Sequence, residues 1–320
     1  MDSLSGLGTA IGAIIPPTYK AYQPLLLRNA DKIRSTAQQT YSYGPHPRQT
    51  LDIYTPSSTA AGGLKNSVLL FLYGGGLVRG DKINPSFAEG LTYSNIGHFF
   101  TEHLGVPVVV VDYRLLSHGA VFPSGGEDVA LAIDWIEEHF RQERPEGLDL
   151  FLMGNSAGGI HVSTFLLAPE LAPKRQQITS SSTTGTRLKG AILLSVPFHF
   201  ERADASRQEV LATYFKDNYL SLSPHGLLKS GIERNSVRDL EDVAVLQITG
   251  TLDPEDEILV PNRDFSKEWQ QMDRSGSRLR IASLEGHNHL SPVLSLGTGV
   301  EAEEAWGQQV IDFVKKSVSC

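Results

Sequence analysis

The chain has 320 residues, 40% of them hydrophobic, with a formal charge of −8 and an isoelectric point near 5.7. An acidic balance without any basic run excludes nucleic-acid binding as the main role, and a charge of this size serves solubility without naming a substrate. The single cysteine, Cys320, leaves no intrachain disulfide and fits a reducing compartment. The apolar stretch from Leu7 to Ile15 is glycine-rich and stopped by Pro16-Pro17. It is too short to span a bilayer and a poor signal peptide, so a cytosolic protein is expected.

Taken in chain order, residues 17–37 carry apolar side chains at loosely helical spacing, interrupted by Pro24. We take residues 1–37 as an N-terminal helical cap segment. Gln39 to Tyr43 and Thr50 to Tyr54 read as two strands around the turn Gly44-Pro45-His46-Pro47. Ser67 to Tyr73, Val106 to Val111 and Leu148 to Met153 are continuous aliphatic runs, as expected of strands covered on both faces. Lys189 to Ser195, Val243 to Thr249 and Arg278 to Leu284 complete eight. Helical patterns lie between them at Ser86 to Leu104, Glu127 to Phe140, Ser156 to Leu167, Pro261 to Met272 and Glu301 to Val318.

This alternation implies an α/β class with a mostly parallel, doubly wound sheet opened by one antiparallel hairpin. The core is expected over 38–197 and 243–320. Two stretches break the alternation. Lys174 to Arg187, polar and rich in Ser and Thr, reads as a surface loop. Residues 198–242 are too long for a simple crossover and carry Tyr214, Phe215, Tyr219, Leu227 and Leu228, so they read as a helical cap insertion.

The chemistry is carried by Gly154-Asn155-Ser156-Ala157-Gly158, placed where a buried strand gives way to a helix. A serine on such a turn is a nucleophile elbow: its backbone is strained, so the flanking positions must be small, and the helix N-terminus supplies amide donors. The five-residue pattern alone is weak; its surroundings give it value. Tyr73-Gly74-Gly75-Gly76 follows a buried strand, where the amides of Gly75 and Gly76, with that of Ala157, are expected to face an oxyanion. Asp253 stands nearest the end of the Val243 strand and is favoured as the acid over Glu255, Asp256 and Glu257. The base is His289 or His287, both following the last strand, with His289 favoured. Tyr73 and Asn155 are assigned to substrate binding. The other histidines, His161 among them, are read as packing or surface residues.

Together these stretches resemble the hormone-sensitive-lipase-like carboxylesterases, a branch of the α/β-hydrolases. The family's His-Gly-Gly-Gly loop corresponds to Tyr73-Gly74-Gly75-Gly76, and its Gly-Asp-Ser-Ala-Gly-Gly elbow to Gly154-Asn155-Ser156-Ala157-Gly158-Gly159. Asp112-Tyr113-Arg114-Leu115, Phe122-Pro123, Glu127-Asp128, Asp253-Pro254 and Gly286 with His289 are similar to further family segments. Tyr73 departs from the family histidine, and the opening Tyr43 to Pro56 looks more like arylformamidase-type members. The resemblance implies an α/β-hydrolase fold and hydrolysis of small-molecule carboxylic esters with short-to-medium or aromatic acyl groups. In that mechanism Ser156, Asp253 and His289 form the triad. Arylformamidase-like amide hydrolysis, a non-hydrolytic dehydratase or cyclase, and a receptor on the same fold stand as alternatives. No metal-ligand spacing and no phosphate-binding glycine loop is visible, so no cofactor is expected; the chain offers no coiled-coil seam, and its oligomeric state stays open.

Overall fold

A computed structural model describes residues 4–57, 62–179, 185–273 and 276–318. Eight strands form one sheet: β1 (Ala37–Ser42), β2 (Thr50–Thr55), β3 (Ser67–Leu72), β4 (Val108–Val111), β5 (Asp149–Asn155), β6 (Arg187–Leu194), β7 (Ala244–Leu252) and β8 (Leu279–Asn288). Their order is β1-β2-β4-β3-β5-β6-β7-β8. Only β2 runs against its neighbours, pairing antiparallel with both β1 and β4. The central strands β3, β4 and β5 are buried at every position, which their continuous Val, Leu and Phe runs anticipate. The edge strand β1 is exposed and polar.

The helices are α1 (Ile11–Arg28), α2 (Ala30–Arg34), α3 (Ser94–Leu104), α4 (Ser124–Phe140), α5 (Ala157–Leu167), α6 (Ala172–Thr179), α7 (Gln208–Phe215), α8 (Pro224–Glu233), α9 (Val260–Met272), α10 (Ser291–Ser295) and α11 (Glu301–Val318). Helices α3 and α11 pack on each other and on the strands; α4, α5, α6, α8 and α9 form a second contiguous layer. Helix α5 is buried at all eleven positions, which explains why its sequence is apolar on every side.

Three elements differ from the sequence reading. Helix α1 starts at Ile11 and continues through Pro16, Pro17 and Pro24. Its buried residues Ile14, Thr18, Tyr22 and Leu26 recur every fourth position, and burial of that stripe outweighs the helix-breaking effect of proline. The third helix starts at Ser94 and not at Ser86. Ala88, Glu89, Gly90 and Tyr93 all take positive φ, a run of turns no helix accommodates. Residues 172–179 form a helix where a loop is expected. Arg175 is buried there, its guanidinium bonded to both carboxylate oxygens of Asp239 and to the Leu166 carbonyl. Residues 180–184 of that expected loop, and Cys320, lie outside the described residues.

Candidate active site

Strand β5 delivers Ser156 to the carboxyl edge of the sheet, with φ 50° and ψ −119°. An L-residue held there is strained, and only tight surroundings maintain it. Those surroundings require glycine on both sides. A Cβ on Gly154 would lie 2.6 Å from the Gly158 carbonyl oxygen, and one on Gly158 would lie 2.2 Å from that of Leu72. The Ser156 amide donates to the Leu194 carbonyl at 2.9 Å, tying the turn to β6.

Two loops, from β7 and β8, complete the arrangement. His289 Nε2 stands 2.9 Å from Ser156 Oγ, and His289 Nδ1 stands 2.8 Å from Asp253 Oδ1. The second oxygen of Asp253 accepts from the Ser195 hydroxyl at 2.7 Å and from the Gly250 amide at 2.8 Å. Asp253 is 1% exposed, so these donors replace the water a buried carboxylate would otherwise need. His287 turns the other way and bonds Ser291 Oγ; burial holds its pKa below the usual 6.5. The two histidines left open by the sequence are thereby told apart. Of the other acids, Glu255 pairs with Arg263 and Asp256 with Arg202, both at the surface.

Helix α1 reaches this corner as well. Asn288, between the two histidines, donates to Thr18 Oγ1 at 2.8 Å, and its own oxygen accepts from the amides of Leu290 and Ser291.

The glycine loop lies directly against the serine: a Cβ on Gly74 would sit 3.0 Å from Ser156 Cβ. The carbonyl of Gly75 accepts from Val78 and Arg79, closing a turn in which Gly75 and Gly76 take φ of 152° and 63°. Among the described residues, the amides of Gly75, Gly76 and Ala157 have no protein acceptor. Unpaired donors beside a strained serine suit a negatively charged oxygen.

Two expectations are corrected. Tyr73 does not face the cavity. Its ring is stacked between Tyr93 and Tyr113 at centroid distances of 5.0 and 4.9 Å. Its hydroxyl donates to Asp112 and accepts from Arg48, while its carbonyl accepts from the Tyr113 hydroxyl. Burial, reinforced by Tyr113 and Asp112, pushes this phenol far above its usual range, so it stays a neutral donor. Asn155 is likewise buried, its amide donating to the Leu194 carbonyl, and it does not line the cavity.

Sequence reasoning missed Ser195. It has φ 48°, and its amide donates to the Ile248 carbonyl at 2.7 Å, which fixes its hydroxyl on Asp253. Its only signal in the sequence is its place at the end of β6, the strand beside the one bearing the acid. His161 is packed edge-on against Tyr113 at 4.4 Å, and both ring nitrogens lack a partner among the described residues. Desolvation, with a smaller repulsion from Arg114, lowers its pKa to about 3.

A cavity of about 60 Å³ opens beside Ser156, Ala157 and Gly76. No group of three or more His, Cys, Asp or Glu placed to hold a metal ion is found among the described residues, and no described helix is long and apolar enough to cross a membrane.

Sheet order, elbow and loop positions define the chain as an α/β-hydrolase. Solved structures share the fold across nearly the whole chain. Carboxyl esterase 2 from Tuber melanosporum superposes with a TM-score of 0.61 at 19% identity, covering 92% of this chain and 99% of that one. A phosphonate-inhibited esterase B from Lactobacillus rhamnosis gives 0.60 at 16% identity, covering 97% of each. Residues 51–208 match the family model BD-FAE. Carboxylesterase 1E from Mus musculus is 29% identical over 163 residues, which are 48% of this chain and 26% of that protein. A medium-chain fatty acyl-CoA hydrolase precursor from Anas platyrhynchos is 29% identical over 147 residues, 43% of this chain and 24% of the relative. The chain thus spans about a quarter of the length of the curated relatives it matches. The chain is similar to carboxylesterases over part of its sequence and shares the fold of solved esterases over nearly all of it.

Proposed function

We propose that the protein is a serine hydrolase that cleaves carboxylic esters through an acyl-enzyme on Ser156. The observation that carries this reading is a single imidazole bonded at once to Ser156 Oγ and Asp253 Oδ1, at 2.9 and 2.8 Å. Neutral His289 takes the serine proton at Nε2 as Oγ attacks the ester carbonyl, and Asp253 holds the Nδ1–H tautomer and stabilises the imidazolium. The oxyanion rests on the amides of Gly75, Gly76 and Ala157. Collapse expels the alcohol with the His289 proton, and water repeats the sequence on the acyl-enzyme.

The cavity's size supports short acyl groups. At roughly 10–15 Å³ per water-sized occupant, its 60 Å³ admits about four to six such groups. We also assign residues 1–37 and 198–242 to a cap over the acyl pocket, supported by the contributions of Ile11, Phe200, Val210 and Leu211 to its lining. A cytosolic setting belongs to the same proposal, supported by the one cysteine.

The experiment compares wild type with Ser156→Ala on p-nitrophenyl acetate, butyrate and octanoate, with fluorophosphonate labelling alongside. The expected result is hydrolysis strongest on the shorter esters, falling at least about 10³-fold in the alanine variant, and label confined to Ser156. Ester turnover undiminished in Ser156→Ala, or a wild type that neither hydrolyses nor labels, would overturn the reading.

A further inference from the structure

The largely apolar cavity is also lined by one guanidinium, one carboxylate (Glu257) and one imidazole (His199). Arg207 ends the short turn Ala205–Arg207 and lines the cavity with Leu77, Ile160, Phe200, Val210 and Leu211. Its Nη1 lies 3.1 Å from the point where a Cβ on Gly76 would be, which puts it beside the glycine assigned to the oxyanion site. Among the described residues Arg207 forms one ion pair, from Nε to Glu257 Oε1 at 3.4 Å, and neither terminal nitrogen has a hydrogen-bond acceptor. His199 lines the same cavity, its Nε2 bonded to Asp264 at 3.1 Å and its buried Nδ1 without a partner among the described residues. The buried His199 Nδ1 left unpaired is costly, while the Arg207 side chain, 31% exposed, keeps its fork open to a ligand, and a guanidinium fork is shaped for a carboxylate. A pocket for a plain alkyl chain needs neither group.

We propose that the acyl pocket selects half-esters of short dicarboxylic acids, with the free carboxylate held by the terminal nitrogens of Arg207. This rests on the ester-hydrolase reading above and adds the substrate class. The reaction is unchanged: the ester C–O bond breaks, water supplies hydroxide to the acyl carbon and a proton to the alcohol, and the second carboxylate is a spectator. A carboxylate is the smaller of the two anions that a guanidinium fork matches, which suits a cavity of only about 60 Å³. Glu257 opposes the bound anion, so the two charged residues act on specificity with opposite sign.

The test measures kcat/KM for the p-nitrophenyl half-ester of glutaric acid and for p-nitrophenyl pentanoate, on wild type, Arg207→Gln and Glu257→Gln. The wild type is expected to prefer the half-ester. Arg207→Gln lowers the ratio of half-ester to neutral ester by about tenfold or more, chiefly through KM, and Glu257→Gln raises it. Equal losses on both esters in Arg207→Gln, or ratios unmoved in both variants, would overturn the proposal and leave ester hydrolysis standing. A readout independent of turnover separates the two ideas: calorimetric binding of monomethyl glutarate to Ser156→Ala. Binding that weakens at least about tenfold on adding Arg207→Gln supports the proposal even where the hydrolytic reading fails. Binding indifferent to Arg207 sinks it.

Discussion

His161 makes the fold acid-sensitive by an amount that follows from its surroundings. The ring is fully buried between Tyr113 and Gly125, on the helix behind Ser156, with no partner at either nitrogen among the described residues. Its pKa falls from 6.5 to about 3. Between pH 6.5 and 3 the unfolded chain binds a proton here and the folded chain does not, so stability falls as pH falls through that window and is restored above it. The gap of about 3.5 pKa units bounds the full loss at about 5 kcal/mol. Between pH 7 and pH 5 the share is about 2 kcal/mol, since most of the unfolded imidazole becomes charged over that interval.

The perturbation is His161→Leu, with His161→Met as a second variant in case the branched side chain meets Gly125. Urea unfolding at pH 7 and pH 5 gives the stability change of each protein. His98, His139, His225 and His287 are also lowered by burial and titrate alike in all of them. Subtracting the variant's pH dependence from that of wild type therefore isolates residue 161. The variants should lose about 2 kcal/mol less than wild type on acidification. At pH 7 they should lie within about 1.5 kcal/mol of wild type, as a near-isosteric apolar exchange does. Parallel losses in wild type and both variants would refute the argument, because the ring would then be titrating as though solvated.

Three further expectations concern the site. Ser195→Ala removes one of two donors to Asp253 Oδ2; kcat/KM should drop about tenfold. Ser195→Gly, which relieves the positive φ, should show the same loss of kcat/KM with better stability. Tyr73→Phe deletes the donor to Asp112 and should cost about 1–2 kcal/mol in urea unfolding. A larger proportional loss on p-nitrophenyl butyrate than on fluorophosphonate labelling would show the glycine loop loosening; unchanged stability would mean that Arg48 and the Lys82 amide suffice for Asp112. Thr18→Val removes the acceptor for Asn288 and should lower kcat on every ester by a similar factor, since it acts through the histidine loop and not through the acyl pocket.

What was legible in the sequence follows a physical boundary. The central strands were readable because continuous aliphatic runs have few alternatives to a sheet covered on both faces, whereas the polar edge strand β1 and its partner β2 were readable from the turn between them. The elbow was readable because its constraints are local: two glycines are demanded by contacts within a few residues and by one neighbouring strand. Helix α1 was misplaced because its prolines are a local signal, overruled by a stripe that pays off against distant partners: α10, the turn at 88–90, Asn288 and, through Tyr22, Glu303 of α11. Helix α6 was missed because Arg175 counts as polar in a sequence, although its guanidinium is satisfied by Asp239 and the Leu166 carbonyl inside the protein.

Tyr73 shows where local reasoning stops at the site itself. Being next to three glycines of a substrate loop says nothing about which way a side chain turns, and β3 ends one residue earlier, so strand alternation no longer applies. The deciding facts are a buried Asp112 and Arg48 from other strand ends, plus two aromatic faces, none of them sequence neighbours. The same network answers a question raised by the missing family histidine. A phenol stacked on both sides and bonded at its tip anchors the first residue of the loop, and the Tyr113 hydroxyl holds that residue's carbonyl. The amides of Gly75 and Gly76 can then stay unpaired and aligned without a histidine, because the rigidity that a strained, open loop requires is drawn from the buried layer beneath it.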